Sequence, residues 1–216
     1  MKKEIRKIIT IIKTAPHLKS QIIFSVIMLL AGIICEFLIY NNFAFMVLLT
    51  NSVLFFHQSI MTASGSGLAQ SSASAKKLQI TSPFYIQIPM YIITFLIISL
   101  HRLYIASSPL QDVSSKNNFY PQDGIFYYSA LCFCFLIYEA ICYKHIILSS
   151  IFLFITLFLI ILFTFILDIF LKISLTSTIA LGFLIIIAGS LLAILTANLL
   201  YKYPISAHMM KENTKS

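Results

Sequence analysis

A chain of 216 residues that is 59% hydrophobic and 10% charged, with mean hydropathy +0.94, has too few charges to cover a water-soluble surface; soluble domains are about half apolar and about a quarter charged. The formal net charge is +8 and the pI about 9.3, but the cations stand at the ends of apolar runs and not in a basic stripe with interleaved aromatics, which argues against nucleic acid as a partner. The expected fold is an all-α integral membrane protein, one transmembrane domain over residues 1–216 with the lipid bilayer as its solvent.

Along the chain, Ile5, Ile8, Ile9 and Ile12 first share a helical face, with Lys2, Lys3, Arg6, Lys7 and Lys13 around it. That pattern predicts an N-terminal amphipathic helix lying in the headgroup region. Pro16 bends the chain and Ser20 offers a cap, so residues 1–19 read as interfacial helix and elbow. Six apolar runs follow, at 21–40, 43–63, 83–100, 124–143, 146–170 and 174–201. Each is near or above the roughly 20 residues a bilayer requires, which predicts six transmembrane helices.

Between the second and third runs, residues 64–82 read SGSGLAQSSASAKKLQITS. Flexible glycines open this inner loop, and residues 69–79 have the composition of a short helix. Residues 101–123 form a polar outer loop with Pro109 and Pro121, and residues 202–216 a cytoplasmic tail. With both termini inside, Lys2, Lys3, Arg6, Lys7, Lys13, Lys19, Lys76, Lys77, Lys144, Lys202, Lys211 and Lys215 are cytoplasmic, while Arg102, Lys116 and Lys172 are outside. Twelve against three is the asymmetry of the positive-inside rule, and it sets the orientation in a plasma membrane. Abundant Ile, Lys and Phe point to a bacterial gene of low GC content. Without tryptophan, tyrosines take the belt positions: Tyr120, Tyr127 and Tyr128 outside, Tyr85, Tyr143, Tyr201 and Tyr203 inside.

Chemistry-bearing residues are sparse. HExxH, GxSxG and the phosphate-cradling GxxxxGK[ST] are absent, so neither metal-assisted hydrolysis nor ATP hydrolysis is expected from this chain. Cys35, Cys132, Cys134 and Cys142 lack zinc-site spacing and read as small hydrophobes. Ionisable groups inside spans are costly and mark candidate paths. Glu36, His57, Gln58 and Glu139 are the candidates for a polar cargo path. Glu36 stands one helical turn from the outer edge, within reach of water. Glu139 stands close to Lys144, and Asp168 four residues before Lys172, a spacing for a helical ion pair. In the sixth run Gly182, Gly189, Ala193 and Ala197 form a narrow face for close helix packing, within the chain or in a dimer.

The order of basic amphipathic helix, elbow, six spans and a helical loop after span two resembles the type-two permease family of ATP-binding cassette transporters. Residues 71–84, SSASAKKLQITSPF, look like that family's first cytoplasmic loop, with Lys76, Lys77 and Leu78 before the Ser82-Pro83 start of span three. The resemblance implies that residues 69–79 are a coupling helix docking on a separate cytoplasmic ATPase subunit, through Ser71, Lys76, Lys77, Leu78 and Gln79. It implies ATP and Mg on that partner, none in this chain, and a second permease copy or related six-span chain. The chain departs from the family in a longer link between spans three and four and a short one around residues 171–173. An amphipathic or hydrophobic cargo, peptide or lipid-like, suits the apolar spans. Two alternatives come from other classes: an ion- or proton-coupled secondary carrier using Glu36, His57 and Glu139, or a membrane immunity protein that binds a toxic peptide. The carrier class is marked by repeats and broken helices, and neither a repeat nor a mid-span Gly/Pro interruption is expected here.

Overall fold

The computed structural model describes residues 10, 13, 18–38, 44–65, 67–71, 75–107, 121–170 and 173–206. Among them there is no strand, and the helices are α1 (Leu18–Leu38), α2 (Ala44–Ser64), α3 (Gly67–Gln70), α4 (Ala75–Ile80), α5 (Phe84–Ala106), α6 (Pro121–Cys142), α7 (Ile146–Phe170) and α8 (Leu175–Leu200). Five stretches are long and apolar enough to cross a membrane: α1, α2, α4 running on into α5, α6 and α8. The chain is thus a multi-pass α-helical membrane protein. The 25-residue α7 is apolar over Ile146–Ile160, where its side chains are described. Of the expected interfacial helix only Thr10 and Lys13 are described; residues 108–120, Lys172 and residues 207–216 lie outside the described part, as does the side chain of Asp168.

Local chemistry sets the helix ends. Ser174 is extended (φ −63°, ψ 150°) and its hydroxyl accepts from Ser177 N at 3.3 Å, an N-cap for α8. Pro121 opens α6, where its missing amide hydrogen costs nothing, and Asp123 sits in the first turn beside the positive helix terminus. The expected outer loop is shorter than 101–123, because α5 runs on to Ala106 and takes His101 and Arg102 with it. Pro89 lies inside α5, an interruption the sequence reading passed over; neighbouring helices let membrane spans tolerate it.

The centre of the bundle is α2, α5, α6 and α8, with α1 laid antiparallel on α2 and α7 on α6. Phe45, Leu49, Phe84, Phe95, Ile98, Tyr128, Leu136 and Ile186 fill this core. Outward-facing positions are apolar instead: Ile147, Phe154, Leu184, Leu199 and Leu38 are all more than 60% exposed. Large aliphatics outside and polar groups inside is the arrangement that lipid dictates. Tyr128 and Tyr143, expected in the belts, are buried instead at 0% and 2% exposure, because each finds a hydroxyl partner on another helix.

Small residues allow the closest approaches. A Cβ on Gly32 would lie 2.8 Å from Leu49 Cδ2, and one on Gly182 2.9 Å from Phe95 Cε2. At Gly189 it would meet the backbone Cα of Phe133 at 3.0 Å, so nothing could swing aside. Ala193 and Ala197 continue that buried face of α8. All four small residues of the sixth run therefore serve packing within this chain, against α5 and α6. Gly189→Val should destabilise by about 1–3 kcal/mol in SDS mixed-micelle unfolding, whereas lipid-facing Leu191→Ala should stay within about 0.5 kcal/mol of wild type.

Candidate functional site: a polar axis and a basic end

Helix α5 carries the chemistry. Gln87, Tyr91, Thr94, Ser99 and Arg102 are buried on it, and the three- and four-residue steps from Gln87 to Thr94 hold them on the inward face. They form a polar axis from one end of the bundle to the other.

At the first end, Glu36 of α1 receives a bidentate pair from Arg102, Nε to Oε1 at 2.8 Å and Nη2 to Oε2 at 2.7 Å. His101 Nδ1 is 2.8 Å from the same Oε1. Both partners of the ion pair are 1% exposed. The guanidinium carbon stands 5.3 Å from the centre of the Phe45 ring. Gly124 makes room for it, since a Cβ there would lie 3.2 Å from Arg102 Cζ. Glu36 therefore does not reach water as its position in the sequence implied; it is sealed by a cation that had been assigned to the outer loop.

Midway, the Thr94 and Tyr128 hydroxyls bond to each other. At the second end, Gln87 Nε2 donates to Glu139 Oε2, and His57 Nδ1 lies 3.4 Å from the same oxygen. Glu139 is thus turned inward to α2 and α5, not toward Lys144 as its spacing suggested. Gln58, beside His57, is half-buried. With His57, Tyr138, Glu139 and Tyr143 it lines a cavity of about 10 Å³ between α2 and α6. His57, Gln58 and Glu139 come together, while Glu36 belongs to the opposite end.

Beyond this second cluster the helix ends form a basic surface. Lys144 Nζ donates to Gln79 Oε1 at 3.1 Å and to Tyr203 O at 2.9 Å. Partial burial pushes the Lys144 ammonium below its ordinary value. Lys76 and Lys144 each place Nζ 5.7 Å from the centre of the Tyr201 ring. The expected helix over residues 69–79 is two short helices, α3 and α4. Ser71, Lys76 and Lys77 are exposed, but Leu78 and Gln79 are 7% and 8% exposed and face the bundle. Helix α4 packs on α2 and α8.

An apolar groove of about 380 Å³ separates α6, α7 and α8, lined by Phe126, Phe133, Cys134, Thr156, Ile160 and Ile185 among others. Among the described residues no group of three or more His, Cys, Asp or Glu could hold a metal ion.

Sequence reasoning missed Gln87, Tyr91, Thr94 and Arg102, although their spacing on an otherwise apolar run was a readable signal. Arg102→Ala should cost about 3–5 kcal/mol in mixed-micelle unfolding, because it strands Glu36 as an unpaired buried charge. Replacing both partners, as Glu36→Leu with Arg102→Met, should recover most of that loss.

Compared with known protein families, curated proteins and solved structures, the chain matches none.

Proposed function

We propose that the chain is the membrane-spanning permease subunit of an ATP-binding cassette exporter. It crosses a bacterial plasma membrane six times with both termini cytoplasmic, the fifth span being α7. The observation that carries this reading is the two-sided seat of α4. One side, Leu78 and Gln79, is buried against the bundle and fastened to Lys144. The other side offers Lys76 and Lys77 at the surface. A lever needs both a rigid attachment and an exposed face, and a loose loop would transmit no force to the spans.

In this reading an ATPase subunit, holding ATP and Mg, docks on α4 and the neighbouring lysines. Closure of two such subunits rocks this bundle against a second copy or a related six-span chain. The two conformations must differ in their contacts with the ATPase for coupling to occur. The apolar groove beside α6 suits a hydrophobic or amphipathic cargo entering from the bilayer.

The test is purification of the tagged chain from its native membrane in mild detergent, with co-purifying proteins identified by mass spectrometry. A cassette ATPase should be recovered in stoichiometric amount, and the double change Lys76→Glu with Lys77→Glu should reduce that recovery about tenfold or more. Thermal stability of the variant should stay within about 1 kcal/mol of wild type, because both side chains are exposed and exposed cation–π contacts and ion pairs are worth no more than about that. Recovery of the chain alone, or undiminished recovery with the variant, would sink the coupling role.

A further inference from the structure

The cluster around Glu139 contains more unsatisfied polar atoms than a packed interior tolerates. Glu139 Oε1, both ring nitrogens of His57, Gln87 Oε1 and the Tyr91 hydroxyl are buried without a well-formed hydrogen bond among the described residues, although the Gln87 amide lies close to both His57 and Tyr91. Buried polar atoms are nearly always paired, so five orphans around one carboxylate mark a species that belongs there. Beside them lies the cavity of about 10 Å³ lined by His57 and Glu139, room for about one water molecule.

Charge decides what the species is. A bare carboxylate this deep needs a cation, and among the described residues no cation faces it. Lys144 is committed to Gln79 and Tyr203, and Arg102 to Glu36 at the far end. The groups that do face the cluster are His57 from α2, Gln87 and Tyr91 from α5, and Cys132, Tyr138, Cys142 and Tyr143 from α6 and its end. None of these supplies a permanent positive charge. Calcium or magnesium would want a shell of oxygens, and a transition metal would want more than one carboxylate and one imidazole, whereas among the described residues no group of three or more His, Cys, Asp or Glu comes together here. A proton needs only one oxygen and a relay.

We propose that Glu139 is a proton-binding carboxyl, with His57 as the relay between it and water entering the crevice between α2 and α6. Uptake takes a proton from hydronium through His57, whose Nδ1 stands 3.4 Å from Glu139 Oε2, forms one O–H bond on the Glu139 carboxyl and leaves a neutral site. Release reverses the path and returns the proton to water. Gln87 donates to Oε2, the oxygen that His57 also approaches, and Oε1 is left without a hydrogen-bond partner among the described residues. The site sits three residues from the end of α6, roughly 4.5 Å of helix rise, so a small separation of α2 from α6 would open it to solvent. This proton site stands independently of the ATPase reading.

Infrared spectroscopy of the full chain in lipid nanodiscs at neutral pH tests it. The wild-type-minus-E139Q difference spectrum should show the C=O stretch of a protonated carboxylic acid, and should be unchanged when sodium replaces choline in the buffer. Carboxylate stretches in its place overturn the proposal, as does loss of the acid band on adding sodium, which would make this a cation site. Should E139Q fail to fold, H57Q decides: the acid band must shift in wild-type-minus-H57Q, and no change there is also fatal. E36Q, which lies in the other cluster, should leave the acid band in place.

Discussion

Hydrocarbon offers no water to a polar group, and so the position of each helix in this bundle depends on where its polar side chains find partners. The Glu36–Arg102 pair states the constraint most sharply. Helix α1 packs on α2 and is otherwise bare to lipid. Its carboxylate can remain buried only where α5 supplies a guanidinium, at 2.7–2.8 Å. Ser25 Oγ donating to Ser52 O at 2.6 Å, and Ser59 Oγ to Gln21 Oε1, repeat the principle along the α1–α2 seam. Apolar contacts inside a bilayer add little drive to helix association, since lipid tails solvate leucine equally well. Small residues set how near the helices come, and the polar seams set which face meets which.

The same constraint separates two kinds of polar cluster. Around Glu36 every charge is matched, the fork of Arg102 fits the carboxylate and a glycine clears the space. That arrangement is structural. Around Glu139 the carboxylate has one amide donor, a neighbouring imidazole and several orphans. An interior built for stability alone would have filled or neutralised that place with apolar side chains. The incompleteness is what a site looks like when its ligand comes and goes.

Much of the fold was legible in the sequence because lipid imposes a length and a hydropathy that can be counted residue by residue. The apolar runs, the free cysteines and the small-residue face of α8 follow from that. The interior was harder to read. Glu36 and Glu139 were visible as charges, but Glu36 was given to interfacial water and the partner of Glu139 was sought five residues away, as in a water-exposed helix. In fact the partners lie 66 and 52 residues off, on α5. Arg102 was read as loop because polarity was taken to end a span, whereas a buried carboxylate holds the arginine inside the helix. Tyr128 and Tyr143 were placed in the belts by position along the chain, when the hydroxyl partners that draw them inward belong to other helices. Leu78 and Gln79 were grouped with Lys76 and Lys77 by adjacency alone. A helix turns about 100° per residue, and that rotation puts the two pairs on opposite sides of α4.

The claim on which this account turns is that ion pairing between helices, within the bilayer, positions the spans. Solid-state NMR of the chain in lipid bilayers, with ¹⁵N in the arginine guanidinium and ¹³C in glutamate carboxyls, measures it directly. Arg102 should show strong dipolar contact to the Glu36 carboxyl, consistent with the 2.7 Å nitrogen–oxygen separation, and its guanidinium protons should exchange slowly with water. A guanidinium that exchanges freely at the interface, with no contact to Glu36, would contradict the account.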